Sequence, residues 1–203
     1  MLTLFYSPHM TSVDNEAGRA SGYADVPLSV SGQKLAQELG QHYVSETLDA
    51  IFCSDLQRAA LTAQIAFSGR DLPLVLDARL RECDYGDWTQ QPFVHVEKER
   101  LRRITEPFPH GESVLMVVQR VGAFLLDTLH SYDGKTIVVI GHGATRWAIE
   151  YWCHDTSLEE IVHTPGEWRE VPIWRYELHL QDFEVRSRLL VIVLQSLETP
   201  SEE

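Results

Sequence analysis

Four residues in this chain have the types needed to act together on one substrate: His9, Arg58, Glu82 and His142. Each follows a short apolar run: Leu2 to Tyr6 before His9, Asp49 to Ser54 before Arg58, Leu72 to Leu76 before Glu82, and Thr136 to Gly141 before His142. A pair of imidazoles, a guanidinium and a carboxylate are the parts of a phosphoryl-transfer site. One imidazole attacks phosphorus, cations hold the equatorial oxygens, and an acid protonates the leaving oxygen. Taken singly, each has a plainer reading: Arg58 is a helix-surface charge and Glu82 a loop carboxylate. His42, His95, His130, His154, His163 and His179 are read as structural or solvated.

The elements that would position these groups are strands. Leu2, Leu4 and Tyr6 alternate with Thr3 and Phe5, and the strand is expected to stop at Ser7-Pro8, because proline cannot continue a ladder. His9 then lies just past a strand tip, where open α/β sheets bind ligands. The polar segment up to Pro27 is too long for a simple connector. Ser29 or Ser31 caps a helix along Leu35, Leu39 and Tyr43. A strand at Asp49–Ser54 leads into a helix through Arg58, Leu61, Ala63 and Ile65, and Leu72–Leu76 is a third strand interrupted by Pro73. Residues 85–112 read as a short lid insertion containing a charged, exposed helix from Glu97 to Arg103. Ser113 caps a helix along Val114, Val117, Val121, Phe124 and Leu125. Thr136–Gly141 is apolar and largely β-branched, the pattern of a strand buried on both faces. A helix follows from Gly143, then strands at Ile173–Leu180 and Val185–Leu194. Alternating strands and helices predict an α/β fold with a mostly parallel central sheet and helices on both faces. One domain over residues 1–197 is expected, with a frayed tail at 198–203.

Composition narrows the function classes. With 44% apolar and 23% charged residues the chain is of ordinary globular type. The formal charge of -13 argues against a nucleic-acid surface. No apolar run reaches the ~20 residues of a membrane span, and no leader is recognisable, so the cytoplasm is the expected location. Cys53, Cys83 and Cys153 are odd in number and widely spaced, which fits reduced thiols and not a disulfide frame or a zinc site. Trp147, Tyr151, Trp152, Trp168 and Trp174 are as well suited to an interface between two copies, a homodimer, as to a core.

The residues around these positions resemble the histidine phosphatase superfamily, in its phosphoglycerate-mutase-like branch. The resemblance rests on Pro8-His9-Met10 through Asn15, on Gly18-Arg19, Gly22, Asp25 and Pro27-Leu28-Ser29, and on Gly32. It continues through Ser54, Leu56, Arg58-Ala59 and Thr62-Ala63, Leu80-Arg81-Glu82 with Tyr85-Gly86-Asp87-Trp88, Gly111-Glu112-Ser113, and Val138 to Gly143. It implies a phosphoglycerate-mutase-like fold and hydrolysis of a small phosphorylated substrate. Further implications are His9 as the nucleophile that becomes a phosphohistidine and Glu82 as the proton donor. Arg58 and His142 would bind the phosphoryl oxygens with help from Asn15 and the Gly143 N–H. Arg19, Ser21 and Gly22 would line the substrate entrance. No metal or organic cofactor is implied.

The chain departs from the family pattern at Pro8, where an arginine is usual, and at Met10, where glycine is usual. The missing guanidinium would forfeit charge-assisted contacts of ~1.5–3 kcal/mol each. Arg19, Arg81 and Arg146 are the nearest cations in sequence, and none is an evident replacement. Three readings follow: a phosphomonoester hydrolase, a non-catalytic pseudophosphatase that binds a phosphorylated ligand or a partner protein, and an enzyme of altered chemistry built on His142 and Glu82. Phosphoglycerate-mutase-type transfer is disfavoured, because so short a lid leaves little to exclude water.

Overall fold

The computed structural model describes residues 1–163 and 171–183. Its centre is a five-stranded sheet in the order β3-β2-β4-β1-β5. The strands are β1 (Leu2–Pro8), β2 (Ala50–Cys53), β3 (Leu74–Leu76), β4 (Thr136–Gly141) and β5 (Trp174–Leu178). All neighbouring pairs are parallel except β1 with β5. The helices are α1 (Val13–Glu16), α2 (Val30–His42), α3 (Gln57–Ala66), α4 (Phe93–Glu99), α5 (Val114–Ser131), α6 (Gly143–Cys153) and α7 (Leu158–His163). This is the expected α/β class with a mostly parallel sheet.

The sheet's two faces are covered by two apolar clusters. One joins Leu2, Leu4 and Tyr6 to Val117, Val121 and Phe124 of α5 and to Ile149 and Trp152 of α6. The other packs Ile51, Val138 and Ile140 against Ala36 and Leu39 of α2 and Ala59 and Ala63 of α3. Residues 137–140 of β4 are completely buried, as a β-branched run between two covered faces must be. Helix α5 has the length and mean hydropathy of a membrane span, yet more than half of it is packed inside this core.

Several boundaries differ from expectation. Strand β1 does not stop at Ser7-Pro8; Pro8 pairs with Gly141 as its last residue. The N–H groups of Thr3 and His9 point to β4, donating to Lys135 and Gly141. Alternation therefore aims the N–H that Pro8 lacks toward the β5 side, where pairing already ended at Tyr6 with Trp174. No ladder bond is lost. The third strand shortens to Leu74–Leu76, and its neighbour Pro73 contributes only a carbonyl, to Ile51 N–H. The helix expected at Glu97–Arg103 instead runs over Phe93–Glu99, entered from Pro92, with a separate 3₁₀ turn at Arg102–Ile104. Ser29, not Ser31, caps α2. The strand expected at Ile173–Leu180 covers Trp174–Leu178. The strand expected at Val185–Leu194, the tail and Trp168 lie outside the described residues.

Candidate active site

The carboxyl ends of β1 and β4 are adjacent, so the residues following them emerge side by side. His9 and His142 have ring centroids 5.0 Å apart, inclined at 58°. His9 keeps part of its surface in the cleft, whereas His142 is fully buried. The backbone that sets His9 is fixed from beneath. Met10 N–H donates to Thr62 Oγ1 at 3.0 Å, and the Met10 side chain is buried among Leu28, Leu39 and Ile140. Met10 therefore fills the core beside the sheet. Gly32, in the first turn of α2, presses on the same loop: a Cβ there would lie 1.9 Å from Thr11 O.

The tautomer of His9 follows from its partners. Nδ1 lies 2.7 Å from Met10 O, a pure acceptor, so Nδ1 carries the proton. Nε2 is then unprotonated, and it accepts from Arg58 Nε–H at 3.2 Å. Burial and the Arg58 charge press the His9 pKa from its usual 6.5 to about 3. Burial first, then Arg58 and His9, push His142 well below the usual range. Among the described residues neither ring nitrogen of His142 has a hydrogen-bond partner. Both imidazoles are neutral, and the one lone pair of His9 Nε2 accepts from Arg58.

Arg58 is 1% exposed and supplies the site's cation. Besides His9 it donates to Ala24 O at 2.9 Å and Gly22 O at 2.8 Å. Gly22 has φ +50, a left-handed turn conformation that glycine adopts without strain, and this aims its carbonyl at the guanidinium. All three acceptors are neutral, and among the described residues Arg58 has no ion pair, so its charge is available to an anion.

Glu82 reaches the site from the turn after β3. Its carboxylate accepts from Cys83 N–H at 2.8 Å, Gly143 N–H at 3.2 Å and Ala144 N–H at 3.1 Å. It thus sits on the positive end of α6. The Gly143 N–H, expected to face a phosphoryl group, is occupied by Glu82. The α6 terminus is also held by Thr145, whose Oγ1 accepts from His142 N–H and donates to Leu80 O. Tyr6 donates its hydroxyl to His142 O.

The remaining expected residues gather elsewhere. Asn15 uses its Oδ1 to accept from Ser12 N–H and Oγ–H, closing the cap of α1. Arg19 pairs with the fully buried Asp14 at 2.8 Å. Gln90 of the lid segment and Ser21 also donate to Asp14. Those bonds, with Phe93 N–H on Gly18 O, tie the loop after β1 to residues 90–93. The other cations near the site are committed. Arg81 forks onto Asp55 at 2.7 and 2.5 Å, and Arg146 meets Glu150 at 3.4 Å and lies over the Trp174 ring.

Two residues have roles that sequence reasoning missed. Asp14 is the buried anchor of the loop just described. Arg120, at the edge of the apolar face of α5, grips the backbone around Glu82. A lone charge among Val117, Val121 and Phe124 was the available signal for it.

Comparison with known proteins gives this geometry its family. The histidine phosphatase superfamily (branch 1) model matches residues 9–185. The chain belongs to that family. It is 35% identical over 207 positions to phosphoserine phosphatase 1 of Hydrogenobacter thermophilus, covering 92% of this chain and 98% of that one. It is 28% identical to the adenosylcobalamin/alpha-ribazole phosphatase of Escherichia coli over 70% of this chain and 73% of that protein. Among solved structures, Bacillus stearothermophilus YhfR superposes with a TM-score of 0.76 at 27% identity, covering 85% of this chain and 90% of that one. The phosphatase reading of the sequence therefore stands, and the non-catalytic alternative finds no support among these relatives.

Proposed function

We propose that this family member hydrolyses small phosphate monoesters through a phosphohistidine on His9. The observation that carries the reading is the fixed tautomer of His9, with Nδ1–H donated to Met10 O and Nε2 unprotonated, its lone pair released for attack when Arg58 Nε–H turns from it to a phosphoryl oxygen. Nε2 attacks phosphorus as the bond from phosphorus to the ester oxygen breaks, and the Glu82 carboxylate, having taken the proton of the phosphate monoanion, hands it to that oxygen. A water then attacks the phosphohistidine. The P–N bond breaks, its electron pair returns to Nε2, and Glu82 takes one water proton while the other leaves with hydrogen phosphate. Arg58 and the imidazole of His142 face the phosphoryl oxygens, and their charge and donors serve as developing charge builds up.

This assignment requires Glu82 to release Gly143 N–H when the phosphoryl group arrives, since a carboxylate and a phosphate oxygen compete for one donor. The full-length relative named for phosphoserine makes phosphoserine the first substrate to try. The experiment is turnover by wild type and His9→Asn, with acid-labile phosphate on the protein measured after rapid quenching. Equal turnover by the two proteins, or no phosphoprotein during turnover, overturns the reading.

A further inference from the structure

Glu82 lies on a turn between β3 and α5, yet a proton donor has to be held within a fraction of an ångström of the leaving oxygen. Thr145 on Leu80 O and Asp55 on the Arg81 side chain hold the turn before Glu82, and the backbone around Glu82 itself is gripped chiefly by Arg120. Arg120 projects from the margin of the buried face of α5 and uses all five of its N–H groups. Nη1 donates to Arg79 O at 2.7 Å and Arg81 O at 2.8 Å, and Nη2 donates to Glu82 O at 2.8 Å. Nε and Nη2 also fork onto Glu112 at 3.0 and 2.9 Å. Glu112 in turn accepts from Asp84 N–H at 3.0 Å, on the far side of Glu82. The backbone is thus gripped at residues 79, 81, 82 and 84, and only the Glu82 carboxylate projects toward α6.

From this geometry we infer that Arg120, with Glu112, is the positioning residue for the Glu82 proton donor. The inference rests on Glu82 having that role. Arg120 touches neither His9 nor Arg58 in any described bond, so it governs protonation of the leaving group and not attack by His9. Loss of Arg120 would leave the carbonyls of residues 79, 81 and 82 without their shared donor, and the turn would shift against α6.

The test separates this role from a general structural one by the leaving group. Phenyl phosphate leaves as a strongly basic phenoxide and needs the proton, whereas dinitrophenyl phosphate leaves unaided. The ratio of kcat/KM for the two esters reads steps up to departure of the leaving group. It is independent of how much of the protein is folded. In Arg120→Met, kcat/KM for phenyl phosphate is expected to fall by about 10-fold or more relative to the dinitrophenyl ester. Arg120→Lys, which restores part of the carbonyl grip, falls less. Glu112→Gln provides a milder perturbation if Arg120→Met accumulates poorly. Glu82→Gln, run alongside, is expected to show the largest ester dependence. An unchanged ratio in the Arg120 and Glu112 variants, with a changed one in Glu82→Gln, overturns the positioning role alone. An unchanged ratio in Glu82→Gln overturns Glu82 as the acid, and this inference with it.

Discussion

The two neutral imidazoles at the strand tips should make the fold sensitive to mild acid. In the native protein His9 titrates near 3 and His142 well below its usual value, while in the unfolded chain both take a proton near pH 6.5. The unfolded state therefore binds the proton first. Stability is full above pH 6.5 and falls as the pH drops through the window toward 3. His9 contributes up to about 1.4 kcal/mol per pH unit within that window, less for its cleft-facing edge, so between pH 6.5 and 4.5 it alone removes about 2 kcal/mol, and His142 adds to the loss in the same direction. Against a domain stability of about 5–15 kcal/mol that is a large share. Carboxylates held low by their partners, such as Asp14 and Asp55, lose their contribution at more acid pH, so the upper window isolates the imidazoles. Urea unfolding of wild type and of His9→Gln/His142→Gln at pH 7.5, 6.0 and 5.0 measures the effect. The wild type should lose stability more steeply than the double variant, by at least about 1 kcal/mol per unit from His9 with the His142 share added to it. Parallel pH dependences would refute the claim that both rings are held neutral in the fold.

The same rings should take up protons when an anion binds. Sulfate, which stays dianionic throughout, should bind more tightly at pH 6 than at pH 8, with proton uptake visible by calorimetry in two buffers; a pH-independent Kd counts against it. Pro8→Arg alone, which places a guanidinium beside His9 at the end of β1, should raise kcat/KM on phosphoserine by about tenfold or more. Met10→Gly should instead lower stability by about 2–5 kcal/mol, because the Met10 side chain is 3% exposed within the core; an unchanged urea midpoint would contradict that placement. Gly122→Ala should destabilise by about 1–3 kcal/mol in the same assay, since its Cβ would lie 2.5 Å from Trp152 Cζ2.

What the sequence made legible was local in origin. Strand β4 could be read because each of its residues is buried for the same reason, and His142 because it follows directly. The end of β1 was misread because the cost of a proline depends on which neighbour its missing N–H would face, and that is set by β5, over 160 residues away. The charge-rich stretch from Glu97 hid Arg103, which is buried over Phe108 and Trp88 and bonded to Pro107 O. Its ion-pair partners are three and four residues away, a spacing that also describes an exposed helix. In the site, residue types and strand-end positions pointed to His9, Arg58, Glu82 and His142, which lie near one another in the fold. The allotment of hydrogen bonds was not readable. That Asn15 serves Ser12, and Gly143 serves Glu82, depends on which acceptor lies nearest once loops from distant parts of the chain have met.

Those distant parts meet most consequentially at Glu82. Its backbone is held from α5, through Arg120, and its carboxylate is received at the N-terminus of α6. The distance between these two helices therefore sets how far the carboxylate must reach. That distance is fixed where Gly122 of α5 meets the indole of Trp152 on α6, and Trp152 Nε1–H locks the contact by donating to Val118 O at 2.9 Å. The helix pair that closes one face of the core is thus also the frame of the candidate acid. A packing change at Gly122 would be felt at Glu82 through the rigid bodies of the helices, with no side chain of the site altered.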